Sequence, residues 1–293
     1  MYQGHQYAQT LAHIGQPVAL PNASTYVIER AIDSSHFVDW SAPYPLLCCR
    51  NWSAMVADVN DAPEDLVSFV AVVDPLKQPS DKEAQQIFNH SFIPFKRHYV
   101  IDFEQPMVLA RHHRRNVSKA QKNITVELHA VGSDLPEAVS TAWLELYRQL
   151  KLRHSIVGVA DFSDGALKQQ LLLCDVFVAR VQKHIVGMLL FTKIDERIYY
   201  HLGAHADQGY KENSSYALFS AAIDYYQKQS IQFLDLGGSS GVKENANDGL
   251  GRFKKGWCNA ERIAYLGGRI HNLTHYHQLS SSPSTSYFPA YRA

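Results

Sequence analysis

The sequence lacks most of the features that assign a chain of 293 residues to a functional class at once. It has no excess of charge, because 28 Lys and Arg residues balance 28 Asp and Glu residues, so the average surface does not attract DNA or an anionic membrane. Its longest nearly unbroken apolar run, residues 185–191, is far shorter than the roughly 20 residues that cross a bilayer. We therefore expect no membrane span and no DNA partner.

The start of the chain argues against a secreted protein, and its cysteines argue against disulfide-rich proteins and zinc-stabilised domains. Residues 1–7 have neither a basic start nor a following apolar block, so the sequence predicts no secretory signal and a cytoplasmic location. The four cysteines include an adjacent pair and show no CxxC spacing, which argues against a disulfide framework and a zinc site. Small disulfide-rich proteins and zinc-stabilised domains are thus not expected.

Apolar residues make up 46 % of the chain, enough for real cores, and the length suits two domains of roughly 100–150 residues. In residues 1–110 the patterns predict strands at 66–73 and 98–103 and a helix at 81–88. Residues 111–124 follow as a basic connector helix whose narrow apolar stripe is Val117 and Ala120. Its cations either face water or contact phosphate; they are Arg111, Arg114, Arg115, Lys119 and Lys122.

Residues 125–270 are predicted to form a second domain, followed by a tail at 271–293. A helix at 136–153 should bury the face of Ala138, Ala142, Leu146 and Leu150, and Ser163 should cap the next helix. The turn Lys183-His184 predicts an antiparallel hairpin, while a helical crossover before the last strand implies parallel strands on its two sides. The predicted strands are 125–128, 176–181, 185–194, 198–203 and 231–236, and the predicted helices are 136–153, 164–173 and 215–228. This order indicates an α+β or α/β fold with a mixed, mostly antiparallel sheet flanked by helices, and a crevice where the parallel strand leaves.

Two polar residues interrupt predicted strands and are candidate bases. Alternation along 198–205 places His201 on one face with Tyr199, Gly203 and His205, where it is either a substrate ligand or base or a hydrogen-bonded core residue. His201 and His205 lie roughly 13 Å apart along a strand, too far for one metal ion. We predict no metal, at this pair or at His271, His275 and His277, which no acid or cysteine accompanies.

Asp235 stands where an apolar side chain would continue the strand pattern. A buried carboxylate needs a partner, so it either holds a neighbouring backbone amide or Arg252, or acts on substrate. The following Gly237-Gly238 would let a ligand approach the backbone closely.

Residues 248–257 place Arg252, Lys254 and Lys255 among glycines and two aromatic residues, Phe253 and Trp257. One interpretation is a short helix that buries the aromatic residues while the cations face water. The other places Lys254 beside a developing oxyanion or a donor phosphate, where a fixed cation contributes several kcal/mol to transition-state binding.

These motifs resemble the FemAB-type branch of the GNAT acyltransferase superfamily, above all its short acetyltransferase-like members. The resemblance covers residues 98–265. The matching segments are His112–Ala120, Gly209-Tyr210, Ser214-Ser215-Tyr216, Leu234–Gly238 and Arg252–Trp257.

The resemblance implies two GNAT-like domains in tandem, with an acyl donor bound by the second. Lys254 would stabilise charge during transfer, and His201 or Asp235 would deprotonate an acceptor amine. Tyr200 and Arg252 would contact the acceptor. The implied donor contacts are Gly209, Tyr210, Lys211, Ser214, Ser215, Tyr216, Gly237, Gly238 and Phe253.

The expected donor is acetyl-CoA or another acyl-CoA, and the expected acceptor is an amine on a sugar, an amino acid or a cell-envelope precursor. Relatives that use transfer RNA carry a long helical arm, for which residues 137–176 have no room. This argues against aminoacyl-tRNA, which is therefore the alternative donor. The loop 206–215 departs from the usual coenzyme A phosphate motif. A non-catalytic binding protein with this fold is the third possibility.

Overall fold

The computed structural model describes residues 1–239, 248–280 and 287–293. Contacts between Cα atoms divide the chain into two compact units. The N-terminal unit consists of Tyr2–Lys96 and Ile263–Ala293, and the central unit consists of Met1 and Arg97–Arg262. The sequence-based boundaries at residues 110, 124 and 270 concern separately folding domains and stay a prediction.

The described residues contain both strands and helices. The strands are β1 Gln16–Leu20, β2 Thr25–Ala31, β3 Val38–Ser41, β4 Leu66–Val72, β5 Ser91–Asp102, β6 Ile124–His129, β7 Asp175–Val181, β8 His184–Ile194, β9 Arg197–His205, β10 Phe233–Gly238 and β11 Ala260–Ile270. The helices are α1 His5–Gln9, α2 Trp52–Asn60, α3 Asp81–Ile87, α4 Arg111–Ala120, α5 Glu137–His154, α6 Asp164–Leu172, α7 Asp207–Lys211, α8 Ser214–Tyr226, α9 Gly249–Lys255 and α10 Leu273–Leu279.

In the N-terminal unit the strand order is β1-β2-β3-β4-β11. Strands β3 and β4 are parallel, and the other neighbours are antiparallel. The nearly continuous apolar run of β4 is buried, as the sequence predicts for a strand covered on both faces. Trp40, Trp52, Phe69 and Phe88 fill the core of this unit. The C-terminal residues join it because β11 pairs with β4 over Leu266–Ile270.

The segment predicted as a tail contains a helix, α10, whose Tyr276 is buried against Ile32 and Val67. Sequence pattern alone missed this helix because it is short and polar, and its stability comes from tertiary packing of one aromatic side chain. The serine-rich run at 281–284, also predicted as loose, lies outside the described residues.

In the central unit the strand order is β5-β10-β9-β8-β7-β6. Strands β9 and β10 are parallel, joined by the crossover helix α8, and the other neighbouring strands are antiparallel. This confirms the prediction of a mixed, mostly antiparallel sheet with one parallel pair. Helix α8 packs against α4 and against the sheet, and its buried side chains include Phe219, Ile223 and Tyr226.

Helix α4 is the basic connector predicted from sequence. Its predicted stripe, Val117 and Ala120, is buried, and two polar residues, His113 and Asn116, are buried with it. The five cations of the segment are exposed, as the solvated interpretation requires; they are Arg111, Arg114, Arg115, Lys119 and Lys122.

The structure differs from two local predictions in which residues are involved: the buried face of α5 and the turn of the β7–β8 hairpin. Helix α5 buries Val139, Trp143 and Tyr147 together with Leu146 of the predicted face, whereas Ala138 is exposed. The face with the large side chains removes more apolar surface from water than the alanine face, so it turns inward. The β7–β8 hairpin forms as predicted, but its turn is Gln182-Lys183, one residue earlier than predicted.

Candidate functional site

Strands β9 and β10 run side by side for a short distance and then separate. Their register pairs Leu234 with Ile198 and Asp235 with Tyr199. Beyond this point β10 stays paired with β5, through Gly238 and His98, while β9 follows β8 as far as His205. The predicted separation beside the parallel strand is therefore present, and Asp235, Gly237 and Gly238 lie where it begins.

Asp235 is buried, with 2 % of its surface exposed, and both carboxylate oxygens have partners. Oδ1 accepts the backbone N–H of Gly237 at 2.7 Å, and Oδ2 lies 2.8 Å from Nδ1 of His98. Gly237 has φ +76°, a conformation that favours glycine, so this turn explains why glycine follows the strand. The backbone-amide alternative was correct, but Arg252 is exposed and the side-chain partner of Asp235 is His98.

Lys254 reaches the same turn from α9. Asp248 caps this helix by accepting the N–H groups of Leu250 and Gly251. The Lys254 side chain is buried, its Nζ donates to the carbonyl oxygen of Gly238 at 2.7 Å, and Nζ lies 5.7 Å from the centre of the Tyr200 ring. Lys255 and Arg252 are exposed. The solvated-helix interpretation thus holds for those two cations and fails for Lys254.

An aromatic cluster holds α9 against α8 and α4. The ring centres of Phe253 and Tyr216 are 5.1 Å apart, and those of Phe219 and Trp257 are 6.0 Å apart. His113 of α4 lies 2.8 Å from the Phe253 carbonyl oxygen through Nε2, and burial lowers its pKa. A Cβ atom on Gly256 would overlap the His113 ring, so the glycine of the basic run makes room for a histidine.

His201 occupies a β-bulge. Leu190 pairs with Leu202 and the next residue, Phe191, pairs with Tyr200, so β9 has one extra residue at His201. The predicted alternation fails at this point: Nε2 of His201 lies 3.3 Å from Oε1 of Gln170 in α6, whereas a Cβ on Gly203 would meet the Tyr200 hydroxyl. Burial lowers the pKa of His201 to about 3, which favours its interpretation as a neutral core residue.

His205 stands at the start of α8. Its Nδ1 lies 2.8 Å from Oγ of the fully buried Ser214, and burial together with the positive charge of Arg153 lowers its pKa to about 4. The ring of Tyr210 lies beneath the Arg153 guanidinium, 4.4 Å from its central carbon. His205 and Ser214 thus form a neutral, packed pair, unlike the ionic groups around Asp235.

The remaining predicted donor contacts divide into packed and accessible groups. Gly209 is buried against the Val186 carbonyl, where no larger residue would fit. Tyr210 and Lys211 are exposed, and Ser215 and Tyr216 are half-buried. The hydroxyl of Tyr216 lies 3.2 Å from Nε2 of His112, and its ring contacts Phe253, so the start of α8 touches the helix that carries Lys254.

The structure therefore brings Tyr200, Gly237, Gly238 and Lys254 together, with Tyr216 and Phe253 beside them. Sequence reasoning missed His98, which begins the alternating segment 98–103. The signal was present, since a buried carboxylate at position 235 required a buried partner.

No group of three or more His, Cys, Asp or Glu side chains within residues 1–239, 248–280 and 287–293 is arranged to hold a metal ion. Over the same residues, no helix combines the length and the apolar character needed to span a membrane. A cavity of about 320 Å³ between α3 and the start of β5 contains none of the predicted site residues.

The chain has a FemAB-like fold, as the solved structures described next show. No protein-family model matches the sequence, and a search of curated proteins gave no match.

The likeness is to solved structures. A structure of FemX has a TM-score of 0.69 at 13 % identity, covering 95 % of this chain and 94 % of that one. The C-terminal domain of a lysylphosphatidylglycerol synthetase from Agrobacterium fabrum has a TM-score of 0.62 at 12 % identity, covering 92 % and 88 %. L-PGS from Bacillus licheniformis has a TM-score of 0.61 at 12 % identity, covering 90 % and 91 %. At these identities the likeness establishes the fold.

Proposed function

We propose that the chain is an acyltransferase that moves an acyl group from an activated donor to an amine. The observation that carries this proposal is the buried Lys254 ammonium, held at the Gly237-Gly238 turn where two parallel strands separate. Ligands of open α/β sheets prefer such separations. The likeness of the fold to that of FemX supports a group-transfer reaction.

In the proposed reaction the amine nitrogen attacks the carbonyl carbon of the acyl group, and negative charge develops on the carbonyl oxygen. Lys254 stabilises this oxyanion, because an ammonium group in a site with little water interacts strongly with a nearby anion. The Gly238 carbonyl accepts a hydrogen bond from this ammonium and so holds it at the turn. The Gly237 amide is already bonded to Asp235, so it is not proposed as an oxyanion donor.

An acyl-CoA is the first donor that we propose, with its phosphates near the start of α8. The accessible groups there are Lys211, Ser215 and Tyr216. Ser214 is fully buried and bonded to His205, so it supports the helix start and does not contact the donor. Acceptors of the proposed class are amines on a sugar, an amino acid or a cell-envelope precursor.

An aminoacyl-tRNA is the second donor, and two observations favour it. One is the likeness in fold to FemX, to the C-terminal domain of a lysylphosphatidylglycerol synthetase and to L-PGS, which each cover at least 90 % of this chain. The exposed cations of α4 and Lys122 also form a basic surface suited to a nucleic-acid backbone. A protein that binds ligands without turnover is the remaining alternative.

Isothermal titration of the purified chain with acetyl-CoA, with alanyl-tRNA and with uncharged tRNA separates these alternatives. Binding of acetyl-CoA, followed by its consumption in the presence of lysine or glucosamine, supports the first donor. Binding of the charged RNA alone contradicts it and supports the second. Binding without consumption of either donor contradicts the proposed transferase activity.

A further inference from the structure

His98 and Asp235 form a buried pair that has no role in the reaction proposed so far. Only 8 % of the His98 side chain and 2 % of the Asp235 side chain are exposed, and Nδ1 and Oδ2 lie 2.8 Å apart. The second ring nitrogen of His98, Nε2, has no hydrogen-bond partner in the part of the chain that the structure describes.

The partner on Nδ1 fixes the tautomer of the ring. An ionised carboxylate only accepts hydrogen bonds, so it requires the proton on Nδ1. A neutral imidazole then carries its lone pair on Nε2, the atom without a partner. The same carboxylate stabilises the imidazolium that forms when Nε2 takes up a proton. The pair therefore has the arrangement of an oriented base.

His98 also lies beside the turn that holds Lys254. It pairs across the strands with Gly238, and facing residues of an antiparallel pair are roughly 4.5–5.5 Å apart. The Gly238 carbonyl accepts a hydrogen bond from the Lys254 ammonium, and Asp235 accepts one from the N–H of Gly237. An imidazole, a carboxylate and an ammonium thus converge on two adjacent glycines.

We propose that Nε2 of His98 is the general base of the transfer and that Asp235 is its positioning residue. This inference rests on the proposed acyltransferase function.

The step balances without any further reactant. The amine lone pair forms the C–N bond while the carbonyl electron pair moves to the oxygen facing Lys254, and Nε2 takes the proton that the nitrogen loses. Collapse of this intermediate restores the carbonyl and breaks the bond to the leaving group. The imidazolium then returns the proton to the departing thiolate or alkoxide. Asp235 remains ionised throughout.

The test measures consumption of acetyl-CoA and of alanyl-tRNA with lysine and with glucosamine as acceptors. For His98→Ala we expect kcat to fall at least about 100-fold, the usual contribution of a positioned base. Added imidazole should restore turnover in a saturable way, because it can occupy the space left by the ring. Asp235→Asn should lower kcat with little change in KM. The matched control is His184→Ala, since His184 is an exposed strand histidine.

The inference would be overturned if kcat of His98→Ala stayed within about three-fold of wild type, because a positioned base should contribute at least about 100-fold. A loss that imidazole does not restore, in a variant whose circular dichroism matches wild type, would also overturn it. If His98→Ala fails to fold, nitrogen NMR of the wild-type ring decides: a proton on Nδ1 supports the inference, and one on Nε2 overturns it. If wild type consumes neither donor, the proposed function fails and the role of His98 fails with it.

Discussion

The turn at the end of β10 and the start of α8 carry similar sequence signals but surround different buried groups. Both place glycine and polar residues at the end of a strand. At the β10 turn, buried ionisable groups face one another: His98 with Asp235, and Lys254 against a backbone carbonyl. At the start of α8, a neutral histidine bonds to a buried serine.

This difference separates chemistry from support. Burying a charge costs several kcal/mol unless partners compensate, so the ionic groups of the β10 turn need a fixed set of neighbours. A neutral hydrogen-bonded pair has no such requirement and stabilises a helix start. We therefore expect substitutions at the first region to change turnover, and substitutions at the second to change stability or donor affinity.

The largest expected effect is that of Lys254→Ala on turnover. Loss of the oxyanion partner should lower kcat by about 100- to 1,000-fold. The melting temperature should fall only modestly, since removing the partner of a fully buried carbonyl costs about 1–3 kcal/mol and Gly238 is only half-buried. The matched control is Lys255→Ala, whose exposed side chain should leave both quantities near wild type. Unchanged turnover in Lys254→Ala would remove this residue from the mechanism.

Gly256→Ala should destabilise the packing that joins the two regions. Its Cβ would overlap the His113 ring, and overpacking of this kind costs about 1–3 kcal/mol. Chemical denaturation measures the loss. Gly249→Ala is the control in the same helix, because among the described residues no heavy atom beyond its chain neighbours and its own helix backbone lies within 4 Å of its added Cβ. Equal stability of the two variants would contradict the assigned packing.

His205 should make the fold sensitive to acid. Burial lowers its pKa to about 4, below the ordinary value of 6.5, so the folded protein binds fewer protons than the unfolded chain between these values. The contribution of neutral His205 to the free energy of unfolding is fully present above pH 6.5. It declines as the pH falls toward 4, by up to about 1.4 kcal/mol per pH unit.

Melting temperatures from pH 7 to pH 4 test this expectation. His205→Asn should show a shallower decline than wild type, whereas the exposed control His184→Asn should follow the wild-type curve. A slope in His205→Asn as steep as in wild type would assign the acid sensitivity to other groups.

The smallest expected effect concerns donor affinity at the start of α8. Lys211 is exposed, so Lys211→Ala should weaken acetyl-CoA binding by about two- to five-fold, and less at high salt. Titration calorimetry at two salt concentrations measures this change. Lys183→Ala, at the β7–β8 turn, is the exposed control. Equal affinity in both variants would exclude Lys211 from the donor site.

Much of the fold was predictable because it depends on local patterns. The buried run of β4, the Ser163 cap and the β7–β8 hairpin follow from apolar periodicity and capping chemistry, which act over a few residues. The parallel pairing of β9 and β10 followed from chain geometry, since a helical crossover returns a strand in the same direction. The predicted role of Lys254 came from the resemblance of its motif.

The tertiary structure decided which of these side chains are buried together. His98 and Asp235 are 137 residues apart, and their contact depends on the register between β5 and β10. The bulge at His201 reverses the alternation that made this residue a candidate base. Lys254 and Lys255 are adjacent cations in the sequence, yet only the first is buried beside a carbonyl acceptor. The sequence alone determined most of the elements of residues 125–236 and the motif, because short-range periodicity encodes them. Strand register and side-chain packing decided the partners, because both arise only when distant segments meet.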